Sequence, residues 1–142
     1  MKMKPGLYIV GTPIGNLSDI SFRAIETLNS VDYVYAEDTR HTKKLFNRYD
    51  ISTKIVSCHK FNEIKKSKEI IDKIKEKKSI ALVTDSGMPC ISDPGSRLIQ
   101  ICRMVNIPIT SIPGPTALTT AISLAGCTES GFIFHGFLPH KM

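Results

Sequence analysis

Apolar residues in this chain follow two alternating patterns. Short runs rich in β-branched side chains, such as Leu7-Tyr8-Ile9-Val10, Ser79-Ile80-Ala81-Leu82-Val83 and Ile107-Pro108-Ile109-Thr110-Ser111-Ile112, are flanked by polar and turn-forming residues. Between them lie segments whose apolar positions recur at helical spacing, as Ile64, Ile71 and Ile74 do. These periods predict strands near 6–11, 31–36, 54–58, 79–84, 107–112 and 132–136, and helices near 20–30, 40–48, 62–77, 94–105 and 115–125. Two helix starts carry capping signals. Asp93 precedes Pro94, an N-cap followed by proline at the first helical position, and Pro115-Thr116 opens an apolar helix that Gly126 can close. Strands alternating with helices over short connections predict an α/β fold: a mostly parallel sheet with helices on both faces.

Three predicted strands end in similar loops. Leu7–Val10 runs into Gly11-Thr12-Pro13-Ile14-Gly15-Asn16, residues 79–83 run into Thr84-Asp85-Ser86-Gly87-Met88-Pro89, and residues 107–112 run into Pro113-Gly114-Pro115-Thr116. Glycine and proline are routine in any one such turn. Three on one pattern predict a crevice, because open α/β sheets bind ligands at the carboxyl ends of their strands. Asp85 directly ends a buried strand and has no evident cap to make. Asp93, by contrast, is explained by its predicted N-cap role.

The 142 residues suit one domain, and 42% hydrophobic with 23% charged residues is a soluble globular composition. The longest apolar runs fall short of the roughly 20 residues of a membrane span, so no membrane association is expected. Gly, Pro and Asn interrupt the N-terminal apolar stretch too early for a signal peptide. Cys58, Cys90, Cys102 and Cys127 are widely spaced with no C-x-x-C pair, which argues against a zinc site or disulfide framework and for a reducing, cytoplasmic setting. Cys102 falls on a helical pattern and is expected in the core, whereas Cys90 lies in the loop of interest. The four histidines are scattered, so no metal is expected.

The net charge of +6 is unevenly distributed. Residues 60–78 carry eight lysines against four acids, the pattern of an amphipathic helix with a wet face. Residues 40–48 carry four Lys or Arg and no acid, and follow directly on Glu37-Asp38-Thr39. That placement suggests a polyanion footprint. The dinucleotide fingerprint, the P-loop and the G-x-S-x-G elbow are absent from the sequence.

The segments VGTPIGNLSDIS (10–21), EDTRHT (37–42), TDSGMPCISDPG (84–95), IPGPTAL (112–118) and FHGFLPHK (134–141) resemble, in order, the ribosomal RNA small subunit methyltransferase I family. That family methylates the 2′-hydroxyl of a cytidine ribose in 16S rRNA and belongs to the tetrapyrrole-methylase (class III) superfamily. Gly11, Pro13, Asn16, Asp38, Arg40, Asp85, Gly87, Pro89, Ser92, Asp93 and Gly95 match its pattern residue for residue. Thr84 and Ser86 replace the usual Ser and Ala, and SCHKFNE (57–63) departs further.

The resemblance implies S-adenosyl-L-methionine in a cleft between two α/β domains. Residues 1–136 would form the N-terminal methyltransferase domain, and 137–142 would begin a linker to a second domain. It implies cofactor contacts from Gly11, Pro13, Ile14, Asp85, Met88, Thr116 and Ala117. Methyl transfer from a sulfonium is an in-line displacement that needs positioning and a group to take the hydroxyl proton. Glu37, Asp38, Arg40 and His59 are the polar candidates, with Asp38 and Arg40 taken as the catalytic pair. Arg40, Lys43 and Lys44 are expected to contact RNA phosphates of the 16S rRNA or small subunit. A tetrapyrrole or diphthine methyltransferase of the same fold, and a non-catalytic cofactor-binding or dimerisation domain, remain open. Apolar residues around Phe132–Leu138 favour a homodimer, which the family also forms.

Overall fold

The computed structural model describes residues 2–126 and 130–141; Cys127 lies outside them. Its elements run β1 (Gly6–Val10), a single 3₁₀ turn (Leu17–Asp19), α1 (Phe22–Ser30), β2 (Tyr33–Ala36), α2 (Thr39–Arg48), β3 (Lys54–Ser57), α3 (Glu63–Lys75), β4 (Ser79–Val83), α4 (Ser96–Met104), β5 (Ile109–Ile112) and α5 (Ala117–Ala125). The five strands form one parallel sheet in the order β3-β2-β4-β1-β5.

The strand order follows from burial. Every residue of β1 and β4 is buried, while β3 and β5 are only partly covered. The uniformly apolar runs therefore take the centre and the mixed ones the edges. Right-handed crossovers then place the helices. The chain moves one way along the sheet through β1, β2 and β3, and back through β4 to β5. The reversal sends the second set of helices to the opposite face. Ala24 and Leu28 of α1 and Leu45 and Phe46 of α2 pack with Tyr8, Val10, Val34 and Ala81 on one side. Ile70, Ile71 and Ile74 of α3 and Leu98 and Cys102 of α4 pack with Leu7, Ile9, Tyr35 and Leu82 on the other.

Two expectations are corrected. Residues 132–136 form no strand. They alternate as an edge strand would, but no strand of the sheet pairs with them, and Phe132, Ile133 and Phe134 are exposed. Nor is Asp93 the N-cap of α4. Cys90, Ser92 and Gly95 take positive φ (71°, 56° and 121°), and these turns defer the cap to Gly95. The Gly95 N–H donates to Glu63 Oε1 of α3 at 2.9 Å, so a carboxylate from a neighbouring helix sits at the start of α4. Thr116 does cap α5, accepting from the Thr119 N–H, and Gly126 closes it at φ 66°. Helix α5 has no buried residue despite its apolar sequence.

Candidate functional site: the crevice at the strand ends

β1 and β4 are neighbours in the sheet, but their following helices leave on opposite faces, so their loops diverge. This is the switch point at which open α/β sheets bind ligands. The two loops are nonetheless tied: the Thr12 N–H donates to Gly87 O (3.0 Å) and the Gly87 N–H to Thr12 O (3.1 Å). The buried Thr12 hydroxyl also donates to Thr84 O at 3.2 Å. On the other flank, the Gly11 N–H donates to Ile112 O, and a β-carbon on Gly11 would meet the Gly114 α-carbon at 2.7 Å. Only paired glycines let the β1 and β5 loops approach so closely.

The structure thus brings all three predicted loops together, and the tie between Thr12 and Gly87 parts the crevice into two cavities. One, of about 280 Å³, is lined by Ile14, Gly87, Met88, Thr116, Ala117 and Phe134 among others. The other, of about 200 Å³, contains Pro13, Asp85, Thr84, His41 and Lys44. The expected cofactor residues therefore divide: Ile14, Met88, Thr116 and Ala117 share the first cavity, and Pro13 and Asp85 the second. The first cavity combines an apolar wall with threonine hydroxyls and a glycine at φ 80°. That lining fits a flat, largely apolar heterocycle with polar edges, such as the adenosyl part of S-adenosylmethionine.

Asp85 does make a cap, one that joins elements distant in sequence. Its Oδ1 accepts from the Asp38 N–H at 3.1 Å, fastening the β2–α2 connection to the end of β4. Asp38 in turn caps α2 by accepting from the Arg40 N–H at 2.9 Å. Hydrogen bonding from the Arg40 backbone holds the Asp38 carboxyl below its usual range, opposed by burial and assisted by the nearby guanidinium. Arg40 lies 3.5 Å from Asp38, with its side chain 89% exposed. The expected catalytic pair is therefore built into the first turn of α2. Lys43 and Lys44 are exposed on the same helix.

Sequence patterning missed a second arrangement. Thr84 is buried, and its hydroxyl donates to Glu37 Oε2 at 3.2 Å, with the Asp93 carboxyl close enough to feel the same hydroxyl. Burial pushes Glu37 up, and the charge on Asp85 adds to this against the Thr84 hydrogen bond. Burial likewise raises Asp93, opposed by Thr84 and assisted by Asp85. One hydroxyl between two carboxylates can donate to only one of them at a time. Both carboxylates line a third cavity of about 760 Å³, with His59, Lys60, Phe61 and Phe137. The acidic pattern at 37–38 was visible in the sequence; its partners, 47 residues on, were not.

The three described thiols, Cys58, Cys90 and Cys102, are unsuited to nucleophilic work. Burial, reinforced by Glu63, pushes Cys58 and Cys90 up to about 11, and burial alone does the same to Cys102. Among the described residues no helix is long and apolar enough to cross a membrane.

Fold and crevice together define a doubly wound α/β domain with a cavity-bearing crevice, the candidate site, at its switch point. The model of the Tetrapyrrole (Corrin/Porphyrin) Methylases family matches residues 6–133, and the chain belongs to that family. It is 50% identical over 137 residues to ribosomal RNA small subunit methyltransferase I of Vibrio cholerae, covering 96% of this chain and 48% of the relative. It is also 50% identical over 133 residues to the protein of that name from Thermotoga maritima, covering 94% of this chain and 60% of the relative. The chain thus spans about half the length of the curated relatives it matches. Among solved structures, uroporphyrin-III-C-methyltransferase from Thermus thermophilus superposes with a TM-score of 0.66 at 21% identity, over 86% of this chain and 52% of that one. A cobalt precorrin-4 methyltransferase gives 0.63 at 18% identity, over 84% and 49%. Both share the fold.

Proposed function

We propose that this chain is the cofactor-binding N-terminal portion of an S-adenosylmethionine-dependent methyltransferase whose acceptor is a cytidine ribose 2′-hydroxyl in 16S rRNA. The observation that carries this reading is the Thr12–Gly87 tie at the switch point, which holds a mixed apolar and hydroxyl-lined cavity against α5. The names of relatives half identical to the chain support small-subunit ribosomal RNA as the acceptor, and the cytidine 2′-hydroxyl follows from the resemblance of the motifs. Residues 1–136 form the methyltransferase domain and 137–142 lead toward a second domain, in keeping with the half-length match. The setting is cytoplasmic.

Ile14, Met88, Thr116 and Ala117 hold the adenosyl portion, with Gly11, Pro13 and Asp85 shaping the adjoining floor. S-adenosylmethionine, when bound, supplies a methyl group on a sulfonium, already activated for displacement. The chain's own task is then to position the acceptor and take its proton. Glu37 suits the second role better than Asp38: its raised carboxyl is the stronger base, while Asp38 is committed to capping α2. Asp38 and Arg40 act by positioning. Arg40, Lys43 and Lys44 hold acceptor phosphates. The exposed apolar residues Leu124, Ile133, Phe137 and Leu138 support a homodimer, which light scattering across a concentration series tests.

Calorimetric titration of S-adenosylmethionine into the chain tests the cofactor, with saturable binding expected. Transfer of labelled methyl to small ribosomal subunits or to a uroporphyrinogen, by the protein carrying the remaining length, separates the acceptors. Label in the RNA supports this reading, and label in the tetrapyrrole replaces it with the second one.

A further inference from the structure

The loop between β3 and α3 presents an aromatic side chain that the fold does not use. Phe61 is 85% exposed, yet its loop is held firmly. The His59 N–H donates to Asn62 Oδ1 at 2.8 Å, the Phe61 N–H to His59 Nδ1 at 3.2 Å, and Asn62 Nδ2 to Ser57 O at 3.3 Å. Lys60 Nζ stands 4.9 Å from the Phe61 ring centroid, and the His59 ring meets it edge-on at 5.9 Å and 66°. Phe61 shares the 760 Å³ cavity with Phe137, itself 81% exposed, and with Glu37 and Asp93. A cavity of this size lies within the usual range for an organic ligand, about 300–1,000 Å³.

We propose that this cavity is the acceptor-nucleotide subsite, in which an unstacked base of single-stranded RNA lies on Phe61 while Lys60 contacts its phosphate. This rests on the RNA-methyltransferase reading above. Aromatic rings held clear of the protein beside a cation are how single-stranded RNA is bound, because every base has a π-face. The carboxylates within the cavity disfavour phosphate there and accept from hydroxyl or amino donors. That orients the nucleotide with its sugar and base edges inward and its phosphate toward Lys60. Arg40, Lys43 and Lys44 are exposed on α2 and are available to the flanking strand.

The chain has no tryptophan and four tyrosines, so Phe61→Trp installs a single tryptophan at the subsite, which can be excited selectively on the red edge of tyrosine absorption. Titration with a single-stranded RNA oligonucleotide should quench it, saturating together with the anisotropy of the labelled RNA. An abasic oligonucleotide of equal length should bind without quenching. Phe61→Ala and Phe61→Leu should each weaken RNA binding roughly 5- to 150-fold, the cost of one lost base stack. Both leave the fold intact, since the ring is exposed. RNA binding with no quench, or with unchanged affinity in Phe61→Ala, overturns the subsite and leaves the parent reading standing. A wild-type chain that binds no RNA overturns both.

Discussion

Thr12 and Gly87, 75 residues apart in sequence, exchange both backbone hydrogen bonds at 3.0 and 3.1 Å. This small antiparallel bridge joins the ends of two parallel strands whose chains then diverge. It fixes the floor of the crevice before any ligand arrives, so the site is largely preorganised.

The close approach of Gly11 and Gly114 should be intolerant of a single methyl. A β-carbon at Gly11 would lie 2.7 Å from Gly114 backbone, and one at Gly114 would lie 2.9 Å from the Gly11 α-carbon. Gly11→Ala should cost about 1–3 kcal/mol by overpacking and displace the β5 loop. Urea denaturation should show a lowered midpoint at unchanged slope, with S-adenosylmethionine affinity falling in parallel.

Asp85 should matter as a hydrogen-bond acceptor more than as a charge. Asp85→Ala leaves the Asp38 N–H without its partner and should destabilise by about 1–3 kcal/mol, loosening the β2–α2 connection. Asp85→Asn keeps an acceptor and should restore most of that stability. Both substitutions remove a charge that helps to raise Glu37, so they should differ in stability but shift the pH profile in the same direction.

Glu37 gives a prediction with a definite sign. Its carboxyl is raised in the folded state, so the folded chain holds that proton more tightly than the unfolded one, and ionisation costs stability as pH rises through the raised value. Glu37→Gln should therefore be more stable than wild type at neutral pH. The difference should vanish as pH falls below the ordinary glutamate value of 4.5. Methyl transfer should move the other way. It should rise with pH as Glu37 ionises, and Glu37→Gln should lose that limb together with roughly 10²–10⁴-fold in rate. Denaturation and single-turnover rates across pH check the two arms.

Replacing Lys43 and Lys44 together with alanine should weaken RNA binding without destabilising the fold, because both are exposed. If each contacts one phosphate, the slope of log affinity against log salt should become shallower by about 1.4. An unchanged slope would remove these residues from the RNA interface.

Much of the fold was legible because it rests on local pattern. The apolar runs at 6–10 and 79–83 are central strands since nothing polar interrupts them, and Thr116 and Gly126 bound α5 by side-chain chemistry visible in sequence. Asp93-Pro94 carries the same kind of signal, but the structure overrides it: the turns at Cys90, Ser92 and Gly95 defer the cap, and Glu63 from another helix sits at the start of α4. Phe132–Phe134 has strand-like alternation but no pairing partner, and pairing is a non-local property. The three loops of the crevice could be named from sequence. Their division by the Thr12–Gly87 bridge, and the sharing of Thr84 by Glu37 and Asp93, depend on contacts tens of residues apart that no local pattern encodes.

The crevice assignment is tested most directly by backbone amide chemical shifts of the isotopically labelled chain during titration with S-adenosylmethionine. Saturable perturbations should cluster at Gly11, Thr12 and Ile14, at Asp85–Met88 and at Thr116–Ala117, the three strand-end loops that meet at the switch point. Binding with its largest perturbations outside those loops, or no perturbation at millimolar ligand, would contradict it.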